Sequence, residues 1–560
     1  MSGSPLIGEN VYLPIEEGTD MALIVALSLA GLALVVAANM LARRTGQPAA
    51  VLLVLVGLLY AVLPGPNLEV DPDVVLVGVL PPLLYATALN ASLTALRGTA
   101  RTVASMSVLL VLVTALAVGT ALSLAVPSVP LAAAIALGAA VAPPDPVAAL
   151  AVGRRAGLPP RLITLVEGEG LLNDATALTT LQIAVAAAVG GGFSVSNAVG
   201  RFLLAAAGGI AVGLGVAAII GAIRRRLDDP LLDNSLSLAV PFAAYLAADQ
   251  AHVSGVLAVV VAGLWLGHRS SSLQSSEARL QTRAVWRLVE FLLEGFAFLL
   301  IGQQLPMVLR GLHAYPRHTV VAAVGVTAAV VLLVRPVWLY GSARLPSALH
   351  ARLGGDPTKS NPALSVRELC ALSWAGTRGV ITMAAVFTVP LTVDSGRPFP
   401  ARDLLLMCAY TVVLVTLVGQ GLTFGPLLRR LHLGNADVDE ALVRNQARLA
   451  AVRASLARLD DLLADDPQPA ELVEPLRRAA EQRQGRYAER VERLSAVEDG
   501  VLPVDPAYYA AVGLRRVMID AERETLVEWR NSGRLPDTSL RTLQRELDHE
   551  EGLLPTHRES

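Results

Sequence analysis

Lysine is all but missing from this chain: Lys359 is the only one among 560 residues, and every other fixed positive charge is an arginine. Charge of either sign is scarce, at 16% of residues, where a soluble domain carries about 25%. The formal net charge is −2, which supplies no basic face for nucleic acid and excludes that class of partner. The two cysteines, Cys370 and Cys408, both fall in apolar stretches. They cannot build a disulfide framework and lack metal-ligand spacing. Residues 1–20 contain no Lys or Arg. A cleavable signal peptide needs a basic leading region, so the apolar run that begins at Met21 reads as a retained span.

What the chain has instead is long apolar runs. Apolar residues make up 54% of it and the mean hydropathy is +0.55. The charge that exists is concentrated: residues 441–560 hold 40 charged positions in 120, and residues 1–440 hold 52. The first part therefore reads as membrane and the second as a soluble appendage. Runs of about 17–25 apolar residues are the length that crosses a bilayer. Thirteen are found, near 21–42, 48–64, 73–90, 102–126, 130–152, 162–189, 200–223, 234–248, 253–267, 284–309, 318–341, 367–393 and 403–428. Cytoplasmic loops should carry the Lys/Arg excess. With the N-terminus outside, the inside loops hold 20 such residues and the outside loops 5, with Arg335 and Arg378 left within spans. The expected organisation is a short extracytoplasmic N-terminus (1–20), a transmembrane domain (21–430) and a charged, mostly helical cytoplasmic tail (431–560). The prolines at 467, 469, 475, 503, 506 and 536 divide the tail into segments.

A carboxylate at the bilayer centre costs roughly 2.5–3.5 kcal/mol even on a lenient scale, so each one asks for a function. Asp145, Glu169, Asp174 and Glu294 lie deep in their runs. Asp145 sits in Ala142-Pro143-Pro144-Asp145-Pro146. Three prolines cannot continue a helix, and a broken helix survives in a membrane only where protein or a cavity surrounds it. Freed carbonyls beside a carboxylate make an oxygen-rich cation site; the rival reading is a kink whose Asp merely caps a half-helix. In Glu167-Gly-Glu169-Gly-Leu-Leu-Asn173-Asp174-Ala-Thr176, helical spacing puts Glu169, Asn173 and Asp174 on one sector. Hard cations prefer oxygen ligands of this kind, and two close carboxylates in a dry site compete for charge, which lets one exchange a proton near neutral pH. The rival is a polar clasp between helices.

Ser373-Trp374-Ala375-Gly376-Thr377-Arg378-Gly379 places glycines around an arginine within the twelfth run. A buried guanidinium needs an acidic partner; Glu169 is the first candidate and Glu294 the second. Arg335, eighteen residues into its own run, reads as reaching back to an interface. The breaks fall in runs five and twelve, which correspond if runs 1–6 and 8–13 are two repeats. Matched discontinuous helices of inverted repeats point to a transporter's midplane site.

The segments Pro144-Asp145-Pro146-Val147-Ala148, Gly168-Glu169-Gly170-Leu171-Leu172-Asn173-Asp174-Ala175 and Gly376-Thr377-Arg378-Gly379 together resemble the monovalent cation:proton antiporter family, which includes the bacterial NhaP-type and animal NHE-type Na⁺/H⁺ exchangers. Leu80-Pro81-Pro82-Leu83-Leu84 and Ser254-Gly255-Val256-Leu257-Ala258 support it, and Glu294 falls where that family has a membrane-embedded acid. The resemblance covers about residues 20–430. It implies an elevator-like exchanger of the NhaA/NhaP-like antiporter fold, usually a homodimer, with a six-helix core and interface-forming helices; with the thirteen runs and the matched breaks, the expectation is an all-α polytopic protein of about thirteen transmembrane helices with inverted repeats, in the cell membrane. By this resemblance Asp174 is the cation- and proton-binding carboxylate, Asp145 the second ligand, Asn173 the residue that marks the electroneutral branch, and Glu169–Arg378 the structural ion pair. Thr176 and Glu294 are outer candidates. The transported Na⁺, or K⁺, is substrate at Asp145 and Asp174, and no organic cofactor is expected. Pro144 and Gly170 depart from the family, which often has a small or hydroxyl residue before the first Asp and usually a Ser after the Glu.

Two rivals remain at this level: a K⁺/H⁺ exchanger or cation channel gated by the tail, and a membrane-embedded enzyme. No filter sequence for a channel is present. His252, His268 and His313 sit near the ends of runs and make no paired zinc motif with a glutamate.

Overall fold

The computed structural model describes residues 21–62, 74–190, 195–344, 364–433, 436–466, 469–497, 506–552 and 554. Segment 1–20 lies outside the described residues, as do Arg352 and Lys359. The chain divides into two compact units at residue 433.

Among the described residues the first unit is built of helices and their connections, with one isolated antiparallel bridge between Thr392 and Pro398. In order come α1 (Met21–Thr45), α2 (Ala49–Val62), a π turn at Val74–Val79 leading into α3 (Leu80–Asn90), and α4 (Leu93–Ala104), which runs through a second π turn at Ser105–Leu109 into α5 (Leu110–Ala125). Next are α6 (Leu131–Val141), α7 (Pro146–Arg155), α8 (Pro160–Val189), α9 (Val195–Arg224), α10 (Pro230–Gln250), α11 (Gly255–His268), the single turn α12 (Ser270–Leu273), α13 (Ser276–Gln303) and α14 (Leu305–Arg310). Then follow α15 (Arg317–Ala343), α16 (Val366–Trp374), α17 (Val380–Phe387), α18 (Arg402–Leu414), a third π turn at Val415–Gln420, and α19 (Gly421–Leu431). These elements coincide with the thirteen apolar runs, the fifth split into α6 and α7 and the twelfth into α16 and α17. Among the described residues six helices are long and apolar enough to cross a membrane by themselves, and four more are shorter apolar helices. Leucines and isoleucines such as Leu203, Leu204, Ile219 and Leu333 stand more than 60% exposed, which water would penalise and lipid tails accept.

Local chemistry sets many of the helix starts. Ser92, Ser254, Ser275 and Asp229 accept from backbone amides of their own first turns. Ser365 and Glu368 close a reciprocal capping box at α16, satisfying donors the helix cannot. Among the described residues five buried clusters then pack the unit, four of them large and one made of Val111, Ala142 and Ala177 alone. Of the large ones, one joins α5, α6, α15, α17 and α18; another joins α3, α9, α10, α11 and α13; a third joins α1, α2 and α13; a fourth joins α7, α16 and α19. Helix α8 contributes to three of the large ones, through Leu181 and Ala184, through Leu171 and Ala175, and through Leu162 and Leu165. It is therefore surrounded by protein, the only setting in which its acids are tolerable. Arg224, read from sequence as a loop arginine, is buried and pairs with the buried Asp233, Nε to Oδ1 at 3.0 Å.

The second unit consists of α20 (Ala436–Asp465), α21 (Ala470–Ser495), α22 (Pro506–Asn531) and α23 (Asp537–Gly552). Helices α20 and α21 pair through Arg477–Asp460 and through Arg448 stacked 5.9 Å above the Tyr487 ring. Helices α22 and α23 pair through Arg523 with Asp548 and Glu551, at 2.7 and 2.9 Å, and through Arg515 with Glu550.

Candidate functional site

Two broken helices meet at the centre of the first unit. Helix α6 ends at Val141, and α7 restarts at Pro146, whose missing N–H costs nothing at the first helical position. Asp145 caps α7, its carboxylate accepting from the Val147 amide at 2.9 Å. Helix α16 ends at Trp374, and α17 restarts at Val380. The strands between the half-helices bond reciprocally: the Asp145 amide donates to the Thr377 carbonyl at 2.6 Å, and the Thr377 hydroxyl donates to the Asp145 carbonyl at 2.8 Å. Gly379 lies against the capping carboxylate. A β-carbon there would stand 1.6 Å from Asp145 Oδ2, so no other residue fits without moving it.

Helix α8 brings Glu169, Asn173 and Asp174 to the crossing, all buried. The Asn173 amide donates to the Pro144 carbonyl at 2.9 Å, taking up an acceptor that the helix break released, while its Oδ1 is buried with no partner among the described residues. Asp174 is 3% exposed, has no hydrogen-bond or ion-pair partner among the described residues, and lies within electrostatic reach of Asp145. The Thr176 hydroxyl donates back to the Leu172 carbonyl of its own helix at 3.3 Å. A β-carbon at Gly170 would stand 2.5 Å from the Pro146 ring. That contact is a physical account of one departure noted in the sequence: α8 packs its bare face on the start of α7.

The expected Glu169–Arg378 pair is corrected. Glu169 binds Arg335 instead, through both guanidinium nitrogens, with Arg335 Nη2 to Oε2 at 2.8 Å. Arg335 Nε also donates to the Leu372 carbonyl at 2.9 Å, and the side chain is buried rather than reaching for an interface. Arg378 is buried too, but its Nε donates to the Val141 carbonyl at 2.7 Å and its Nη1 to the Gly376 carbonyl. These carbonyls are freed by the two helix breaks, and a cation at a helix C-terminus satisfies them. The sequence reading also missed Ser107, which donates to the Glu169 carbonyl at 3.1 Å, and Thr416, which accepts from the Arg378 amide at 2.9 Å. Both sit in π turns, which no sequence signal marked.

Glu294 of α13 is placed apart from these groups, on the wall of a cavity of about 430 Å³. Asn39, Val147, Arg155, Phe291 and Arg429 also line it. Glu294 is within electrostatic reach of Asp145.

The family model for the sodium/hydrogen exchanger transmembrane domain matches residues 30–430. An uncharacterised Na⁺/H⁺ exchanger of Mycobacterium tuberculosis is 34% identical over 98% of both chains. A sodium, potassium, lithium and rubidium/H⁺ antiporter of Bacillus pumilus is 30% identical over 79% of this chain and 67% of its own. Among solved structures, the sodium proton antiporter MjNhaP1 of Methanocaldococcus jannaschii superposes with a TM-score of 0.54 at 20% identity, over 73% of this chain and 99% of that one.

Proposed function

Because the chain belongs to the transmembrane sodium/hydrogen exchanger family, and is thus a secondary antiporter of monovalent cations and protons, we propose that Asp174 carries the exchange and that one cation is traded for one proton. The observation that supports this most directly is the Asp145–Asp174 arrangement at the crossing: a buried carboxylate without a partner among the described residues, within electrostatic reach of a second one fixed by its cap. A cation or a proton satisfies that carboxylate, never both at once. Asp145 helps coordinate, Asn173 orients the loop carbonyl beside it, and the Glu169–Arg335 pair clasps α8 to α15 next to the site.

Neither Pro144 nor Gly170 offers a side-chain ligand, so backbone oxygens, Asn173 and water complete the shell. Such a shell discriminates weakly among alkali ions, which fits a relative named for four of them. The 20-to-5 loop asymmetry supports an N-terminus outside and a cytoplasmic tail from about residue 431, in a homodimer in the cell membrane.

One-for-one exchange moves no net charge, so a membrane potential, worth about 2.3 kcal/mol per charge per 100 mV, has no hold on the equilibrium. In proteoliposomes under a K⁺/valinomycin potential, the pH gradient at which flux vanishes is expected to follow the ion gradients alone. A null point that moves with voltage refutes the stoichiometry and makes Asp145 a second proton carrier. Gly379→Ala tests the geometry: displacing the Asp145 carboxylate by about an ångström should cut exchange on the order of a hundredfold. Wild-type rates in that variant would show that the carboxylate's position is immaterial.

A further inference from the structure

Glu294 is not at the crossing, yet its carboxylate has no hydrogen bond or ion pair among the described residues. It lines the cavity together with Val147, the residue whose amide the Asp145 carboxylate holds. The same cavity is bounded by Gly46 and Pro48 of the α1–α2 connection, by Arg155 at the end of α7 and by Arg429 near the end of α19. These are segments that the arginine count assigns to the tail side. Two exposed arginines at the rim raise the potential of the opening, and low-dielectric walls focus that field. A cation would be held out of such a cavity unless an acid inside opposed the rim. Glu294 is the acid that lines it, and Asp145 lies within its electrostatic reach.

We propose that Glu294 is an entry residue for the transported cation: the ion pauses on the cavity wall between the rim arginines and the Asp145–Asp174 pair. The inference rests on the exchanger reading. Asn39, from α1, lines the same wall, its amide nitrogen donating to the Val35 carbonyl at 2.9 Å. Glu294 belongs to α13, which packs with α1 and α2, and not to either helix that carries the aspartates. The cavity is lined by segments assigned to the tail side, so Glu294 is expected to act on the path at that face.

The experiment measures the Michaelis constant for Na⁺ and the maximal exchange rate separately from each face, in everted and right-side-out vesicles containing the full chain. Glu294→Gln is expected to raise the constant about tenfold at the cavity face, from loss of one nearby charge. The opposite face and the maximal rate should stay within about twofold. Glu294→Asp should restore most of the loss, which a purely packing role would not allow. Arg155→Gln with Arg429→Gln should move the constant the other way, and the difference from wild type should shrink in high concentrations of an impermeant salt. An unchanged constant in Glu294→Gln overturns the proposal, and so does an equal rise at both faces. If wild type itself exchanges no Na⁺ for H⁺, the exchanger reading has failed. If wild type exchanges, Asp174→Asn does not, and Glu294→Gln matches wild type, the entry proposal alone has failed.

Discussion

Vesicles carrying Asp174→Asn are expected to show cation-dependent proton movement no greater than empty vesicles, while the protein assembles and melts like wild type. The substitution preserves shape and removes only the ability to hold charge or proton. Asp174 makes no hydrogen bond or ion pair among the described residues, so nothing that stabilises the fold is lost. Asp145→Asn should differ in degree. Asn caps a helix about as well as Asp, so the Val147 bond survives, and weak exchange through Asp174 should persist. Calorimetry or a fluorescence melt in detergent separates folding from function. Substantial exchange by Asp174→Asn sinks the assignment.

Arg335→Ala is expected to be the most destabilising single change at the site. It strands Glu169, 1% exposed, without its counter-charge, and breaking a buried pair from one side costs about 3–5 kcal/mol. It also orphans the Leu372 carbonyl next to the second helix break. The double change Glu169→Gln with Arg335→Gln should recover much of the loss, because neither partner is then left charged. Glu169→Gln with Arg378→Gln should not, since Arg378 serves carbonyls of α6 and of the α16–α17 break rather than a carboxylate. Comparing the melting temperatures of these variants decides the matter. If Arg335→Ala melts with wild type, the bidentate pair contributes nothing and the arginines have been ranked wrongly.

The bilayer made the fold legible. Hydrocarbon demands about twenty apolar residues per crossing and punishes every exception. Thirteen runs, two breaks and the acids Asp145, Glu169 and Asp174 therefore stood out before any coordinates. The apolar run at 234–248 begins after Asp229, Pro230 and Asp233. In the structure Asp229 caps α10, Pro230 begins it, and Asp233 is buried against Arg224. The choice between Arg335 and Arg378 for Glu169 was not legible, because both are arginines in apolar runs and the answer depends on which backbone carbonyls a helix break leaves bare in space. The cavity that holds Glu294 was equally out of reach, since its wall gathers residues from α1, α2, α7, α13 and α19. In the tail, interleaved Arg and Glu predicted helices, but which helix pairs with which follows from side-chain geometry alone.

The reciprocal bonds between Asp145 and Thr377 have a mechanical meaning. They lash the two unwound strands together, and the Glu169–Arg335 clasp lashes α8 to α15 beside them. No wall of the site can swing aside by itself without tearing a buried polar contact. Any rearrangement that spares those contacts moves the two breaks as one piece, and α8 with α15 as another.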